Sequence, residues 1–186
     1  QAPINARQLD ELDDLTTLEL NHLAQVLLPQ RPNLMASLVM KFLNRIEANG
    51  QLLTERNPAP YIQPYQEPLL LAGLCLEIFE ITQDQAYLQK VFPLLWKIAG
   101  TWLFSELDGR SENPITWQTP DQCQLRSGMH KFDIWEETGG GLDIRTVESP
   151  ALLAMLLREV RSLTKMADIL EAQNAVKRYS KLEKRL

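Results

Sequence analysis

Residues 134–150 read IWEETGGGLDIRTVESP, with Trp135, four carboxylates (Glu136, Glu137, Asp143, Glu148) and the run Gly139-Gly140-Gly141. Carboxylates of this kind can work in pairs. One keeps a proton and delivers it to a leaving oxygen, while a second activates water or attacks the carbon, which is the requirement for glycosidic cleavage. Keeping that proton near neutral pH takes burial or a neighbouring carboxylate. An indole beside such acids suits the C–H face of a pyranose, and glycines admit backbone shapes that let the chain approach a ligand and aim Asp143 inward. The plainer reading stays open beside this one: acids in a long connection are solvated, and glycines bend it.

The acids continue upstream. Between Ser105 and Glu148 lie also Glu106, Asp108, Glu112, Asp121 and Asp133, with Trp117 among them. Other chemistries find less footing. His22 and His130 are the only histidines, and neither has a companion at metal-ligand spacing, so no metal and no cofactor is expected. The glycine triplet is not followed by Gly-Lys-Ser/Thr and opens no nucleotide fold. No serine or cysteine sits in a recognisable nucleophile setting. A net charge of -5 and a pI near 5.1 argue against nucleic acid as a partner. No run of about 18 apolar residues exists, so no membrane span is expected. Cys75 lies in an apolar helical run and reads as a core residue; Cys123 lies in a polar stretch, and two cysteines of this kind fit a cytoplasmic setting.

The elements that must position the acids are helices. The 186 residues suit one all-α domain, and nearly every long segment repeats its apolar residues at helical spacing. The first helix is expected near Leu12 to Leu28 and the second near Asn33 to Ala48, closed by Asn49-Gly50. The third is expected near Pro68 to Ile81. Its LLLAGLCLEIF run is apolar nearly all round, as in a helix buried on several sides. The fourth follows Asp84 as N-cap and reaches about Phe104, with Pro93 predicting a kink or a division. The fifth opens at Ser149-Pro150 and runs to about Ala172, with Leu153, Leu156, Val160, Leu163, Ala167 and Leu170 on one face. The sixth begins near Asn174, with Val176, Tyr179 and Leu182 repeating and Lys177, Arg178, Lys181, Lys184 and Arg185 on a solvated face.

The connections are unequal. First to second, third to fourth and fifth to sixth take a few residues each, which predicts antiparallel hairpins. Second to third takes about 17 residues and fourth to fifth over 40. In an up-down array both long connections fall at one end, by the starts of the third and fifth helices. Long connections in a compact domain are usually functional. These carry Tyr61, Gln63, Trp117, Trp135 and the acids.

Four stretches together resemble the six-hairpin, (α/α)6-toroid glycosidases, the group of trehalases, processing α-glucosidase-like enzymes and the glucosidase half of glycogen-debranching proteins. They are MASLVMKFLNRIEANGQL, IQPYQEPLLLAGLCLEIFEITQDQAYLQKVFPLLWK, PITWQTPDQCQ and WEETGGGLDIRTVESPALLAMLLREV. The resemblance implies hydrolysis of α-linked glucosides or mannosides with inversion. It makes Asp143 the proton donor, and Gln63, Trp117, Trp135 and Glu137 the substrate-binding residues. The WEETGGGLD spacing is longer than the family's common form. Three hairpins make half a toroid, and the family's base finds no counterpart here, so the expectation is a fragment of a larger domain or a homodimer that covers the inner face. A non-catalytic helical-hairpin scaffold and a sugar-binding module are the alternatives.

Overall fold

The computed structural model describes residues 15–52, 69–107, 115–117 and 148–186. Among these residues the protein is all helical, with no strand. The helices are α1 (Thr17–Leu27), α2 (Pro32–Leu43), α3 (Ala72–Thr82), α4 (Gln85–Leu107), α5 (Pro150–Ile169) and α6 (Gln173–Glu183).

Local chemistry sets most of the ends. Thr16 and Glu19 form a capping box: the Thr16 hydroxyl accepts from Glu19 N at 3.2 Å, and the Glu19 carboxylate accepts from Thr16 N at 2.8 Å. Thr16 is extended, so α1 starts at Thr17 rather than near Leu12, which itself lies outside the described residues. α2 stops at Leu43, ahead of the expected end, because the chain tightens into three-residue turns, Arg45 N to Phe42 O and Ile46 N to Leu43 O. Gly50 is left-handed as expected (φ 87°), but it serves a separate turn; a methyl there would lie 2.6 Å from the Lys97 carbonyl oxygen. α3 begins at Ala72, after Leu69–Leu71, and Pro68 lies outside the described residues. α4 is one helix of 23 residues that Pro93 does not divide. Pro93 is exposed, so the carbonyl it leaves without a helical donor can turn to water. Ser149 caps α5, accepting from Leu152 N at 3.3 Å, with Pro150 in the first turn.

Each pair of helices joined by a short turn packs together: α1 on α2, α3 on α4, α5 on α6. α3 also touches α2 and α5, and this explains its all-round apolarity, with Leu74, Cys75, Leu76, Ile78 and Phe79 all buried. The buried stripe of α5 is Leu152, Leu156, Glu159, Val160, Leu163, Met166 and Ala167. It is turned slightly from the expected face, with Leu152 inside and Leu153 half-buried. On α6, Ala175, Tyr179 and Leu182 face inward. The basic residues of α6 are mostly solvated, except that the Arg178 guanidinium lies 5.4 Å from the centre of the Trp96 ring.

At the start of α3, Ala72 N abuts Glu159, ten positions beyond Ser149, about 15 Å along α5 at the helical rise.

Candidate functional site

Of the residues singled out by the sequence, Gln63, Trp135, Glu137 and Asp143 lie outside the described residues, as do Tyr61, Cys123 and His130. Trp117 is described. It is 6% exposed and packs into the helical core with half-buried Ile115 beside it, tying residues 115–117 to that core. His22 is exposed on α1 and Cys75 is buried, both as expected.

The chemistry-bearing centre that the described residues do bring together is at the α3–α5 contact. The first N–H groups of a helix have no partner within it and must find one elsewhere. In α3 they find it on another helix. Glu159, 0% exposed, accepts from Ala72 N through Oε2 at 2.6 Å and from Gly73 N through Oε1 at 3.2 Å. No side chain from the Leu71 position does this capping. Glu159 is thus an N-cap supplied in space instead of in sequence, and it binds the run Leu69–Leu71 to α5.

The surroundings of Glu159 pull its acidity in opposite directions. Burial pushes its carboxyl up to about 7, against the bonds from Ala72 and Gly73 and the charge of Arg158, while Glu77 adds to the rise. Arg158 does not pair with Glu159. Its guanidinium turns outward across Gly73 to the exposed Glu77, at 3.3 Å. Side by side on α3, Gly73 gives the guanidinium room: a methyl there would lie 2.9 Å from its Nη2. Inward of Glu159 lies the Cys75 thiol, pushed up to about 12 by burial first and by Glu159 as well, with the neighbouring Tyr87 hydroxyl working the other way. The Tyr87 phenol is raised by burial and then by Cys75. A thiol in this setting stays protonated and unreactive.

Outside this contact, α1, α3 and α5 enclose a cleft of about 470 Å³. Its floor includes Ala24, Leu70, Leu74 and Met155, and its rim carries Asn21, His22, Gln25, Glu77 and Arg158. Asn21 staples the floor by donating from Nδ2 to Thr17 O at 2.8 Å and Leu70 O at 2.7 Å. Among the described residues no group of three or more His, Cys, Asp or Glu side chains could hold a metal ion. No described helix is long and apolar enough to cross a membrane.

The sequence pattern did carry a sign of Glu159. Leu152, Leu156, Glu159, Leu163 and Met166 follow one another at three- and four-residue steps, so a glutamate occupies the apolar stripe of its helix. A carboxylate in that register needs a buried partner. The partner, a pair of backbone N–H groups 86 and 87 residues away, has no sequence signature.

Comparison with known proteins found no matching family model, curated protein or solved structure.

Proposed function

We propose that the chain belongs to an inverting glycoside hydrolase of the six-hairpin, (α/α)6 type, acting on α-linked glucosides or mannosides. Asp143 is the general acid. Gln63, Trp135 and Glu137 bind the sugar, while Trp117, placed in the core, anchors the connection that carries Trp135 and Glu137. The base that activates water is supplied from outside these residues, either by further hairpins of a larger domain or by a second copy. Carboxyl groups in such a site stand roughly 6.5–9.5 Å apart, leaving room for the water between them.

The observation that carries the reading is the stretch from Trp135 to Val160, WEETGGGLDIRTVESPALLAMLLREV, in which an indole, acids and glycines run straight into a capped and buried helix. Helix pairs joined by short turns and packed on one another support it at the level of architecture. The net charge of -5 favours a neutral ligand over a polyanion.

The test is a panel of α-linked glucose and mannose disaccharides, with the product anomer followed by proton NMR and binding followed by tryptophan fluorescence. The expected result is β-anomer released first, with Asp143→Asn losing at least about a thousandfold in turnover while retaining sugar binding. Normal turnover by Asp143→Asn removes it as proton donor. Sugar binding without turnover identifies a sugar-binding module instead, and no binding to any member of the panel returns the chain to a helical scaffold.

A further inference from the structure

We propose that the cleft between α1, α3 and α5 binds a free α-amino acid with a branched aliphatic side chain: the ligand carboxylate on Arg158, its ammonium on Glu77, and its side chain against Leu74 and Met155.

The lining of the cleft sets the apolar half of the ligand. A volume of about 470 Å³ is that of a small-molecule site. Leu74, Glu77 and Ile81 follow at three- and four-residue steps along α3 and all line it, so one charge interrupts an aliphatic stripe. No Trp, Tyr or Phe is among the described residues that line it, so it offers no ring to the face of a pyranose or to a planar aromatic ligand. Ile81 is 53% exposed on the wall, apolar surface that an aliphatic ligand would cover.

The rim sets the polar half. Arg158 and Glu77 are each about half exposed and meet through one contact, Nη2 to Oε1, at 3.3 Å. A pair of this kind adds little to stability, so a ligand can part or share it at little cost. A lone carboxylate arriving at Arg158 meets the negative charge of Glu77, and a lone amine arriving at Glu77 meets the positive charge of Arg158. A zwitterion satisfies both. In an α-amino acid the ammonium nitrogen and a carboxylate oxygen stand about 3 Å apart, fixed by the bonds at the α-carbon. That matches the spacing of the protein pair, and the two ion pairs can lie side by side in opposite sense.

The guanidinium is held ready. It lies flat on α3 at Gly73, where a methyl would stand 2.9 Å from Nη2 and 3.1 Å from Cζ and Nε. Among the described residues its one hydrogen bond is to Glu77, which leaves N–H groups for the fork that a carboxylate accepts. The floor is fixed as well, since Asn21 Nδ2 donates to Leu70 O at 2.7 Å. None of these residues takes part in the proposed glycoside cleavage.

The test is a titration of the full chain with L-leucine, followed by calorimetry and by methyl NMR. Saturable binding is expected, with shifts at the Leu74, Ile81 and Met155 methyls. 4-Methylpentanoate lacks the ammonium and 3-methylbutylamine lacks the carboxylate; each should bind at least about tenfold more weakly. Arg158→Gln and Glu77→Gln should each weaken leucine by a similar factor, and Glu77→Gln should also erase the preference for leucine over 4-methylpentanoate. Gly73→Ala suits a helix and displaces only the end of a flexible side chain, so its unfolding midpoint should hold while leucine binding falls severalfold. Four results overturn the proposal: no saturable binding up to about 20 mM, equal binding of the single-charge analogues, shifts confined to residues outside the cleft, or unchanged affinity in both Arg158→Gln and Glu77→Gln.

Discussion

Glu159 Oε2 stands 2.6 Å from Ala72 N, so the first amide of one helix is capped by a side chain from the middle of another. Caps taken from neighbouring sequence stabilise one helix. This one stabilises a helix and a tertiary contact together, because losing it uncaps α3 and frees Leu69–Leu71 from α5. Glu159→Ala leaves two buried N–H groups without partners and a void between the helices. Near pH 5 the loss should be about 2–4 kcal/mol in urea unfolding. By pH 8 the unaltered chain has itself lost the benefit of the bound proton, and the difference between the two proteins should narrow by roughly 2 kcal/mol. A penalty that widens with pH would mean that the ionised carboxylate is the stabilising form.

Gly50 is fixed by both conformation and space. Its φ of 87° is strained for any L side chain, and the Lys97 carbonyl oxygen occupies the position a methyl group would need to avoid. The obstacle is helix backbone, which cannot swing aside as a side chain can. Gly50→Ala should therefore cost about 2–4 kcal/mol, beyond the roughly 1 kcal/mol of a left-handed alanine alone. Thermal unfolding of the variant measures it, and a cost near 1 kcal/mol would show that the 47–51 turn moves freely away from α4.

Tyr179 offers the opposite case, a polar atom the fold does not use. Its side chain is 0% exposed and meets Trp96 edge-on, with ring centres 5.1 Å apart. The hydroxyl oxygen is buried with no hydrogen-bond partner. Removing an unpartnered buried hydroxyl relieves its desolvation and keeps the ring. Tyr179→Phe should leave stability unchanged or raise it by up to about 1 kcal/mol, whereas Tyr179→Ala should lose about 3–5 kcal/mol. A clear loss on Tyr179→Phe would reveal a partner for that oxygen, such as an ordered water.

These cases separate what a sequence makes legible from what it conceals. The helices and their short turns were legible because apolar spacing, Ser149-Pro150 and the αL glycine each act within a few residues. The capping box at Thr16 and Glu19 is equally local and was readable; the apolar periodicity reaching back to Leu12 drew the first helix too long. Pro93 predicts a kink or a division, and the division does not occur: the proline lies on an exposed face where water can meet the freed carbonyl. The candidate acids were selected by residue type and neighbourhood, and Gln63, Trp135, Glu137 and Asp143 fall outside the described residues. Trp117, a ring that the sequence offers to a sugar, packs in the core. The partners of Glu159 are amides, which every residue but proline possesses. Only the fold says which of them come near.

The end of α5 allows a prediction that depends on no side-chain contact. Ala172 N bonds to Ala167 O at 2.8 Å and Glu171 N to Asp168 O at 3.0 Å, the paired closure of a Schellman motif. That motif places its turning residue in the left-handed region, where glycine is usual. Here the residue is Glu171, at φ 56° and exposed. A β-carbon in that conformation crowds the following carbonyl, and glycine removes the strain. The unfolded chain gains freedom with glycine as well, which offsets part of the gain. The net effect of Glu171→Gly should be a stabilisation of about 0.5–1 kcal/mol, seen as a higher denaturant midpoint with an unchanged slope. Glu171→Ala retains the β-carbon and should show no such gain. If the alanine variant gained as much as the glycine variant, the benefit would come from removing the negative charge at the helix C-terminus, where the backbone dipole is already negative, and the conformational explanation would fail.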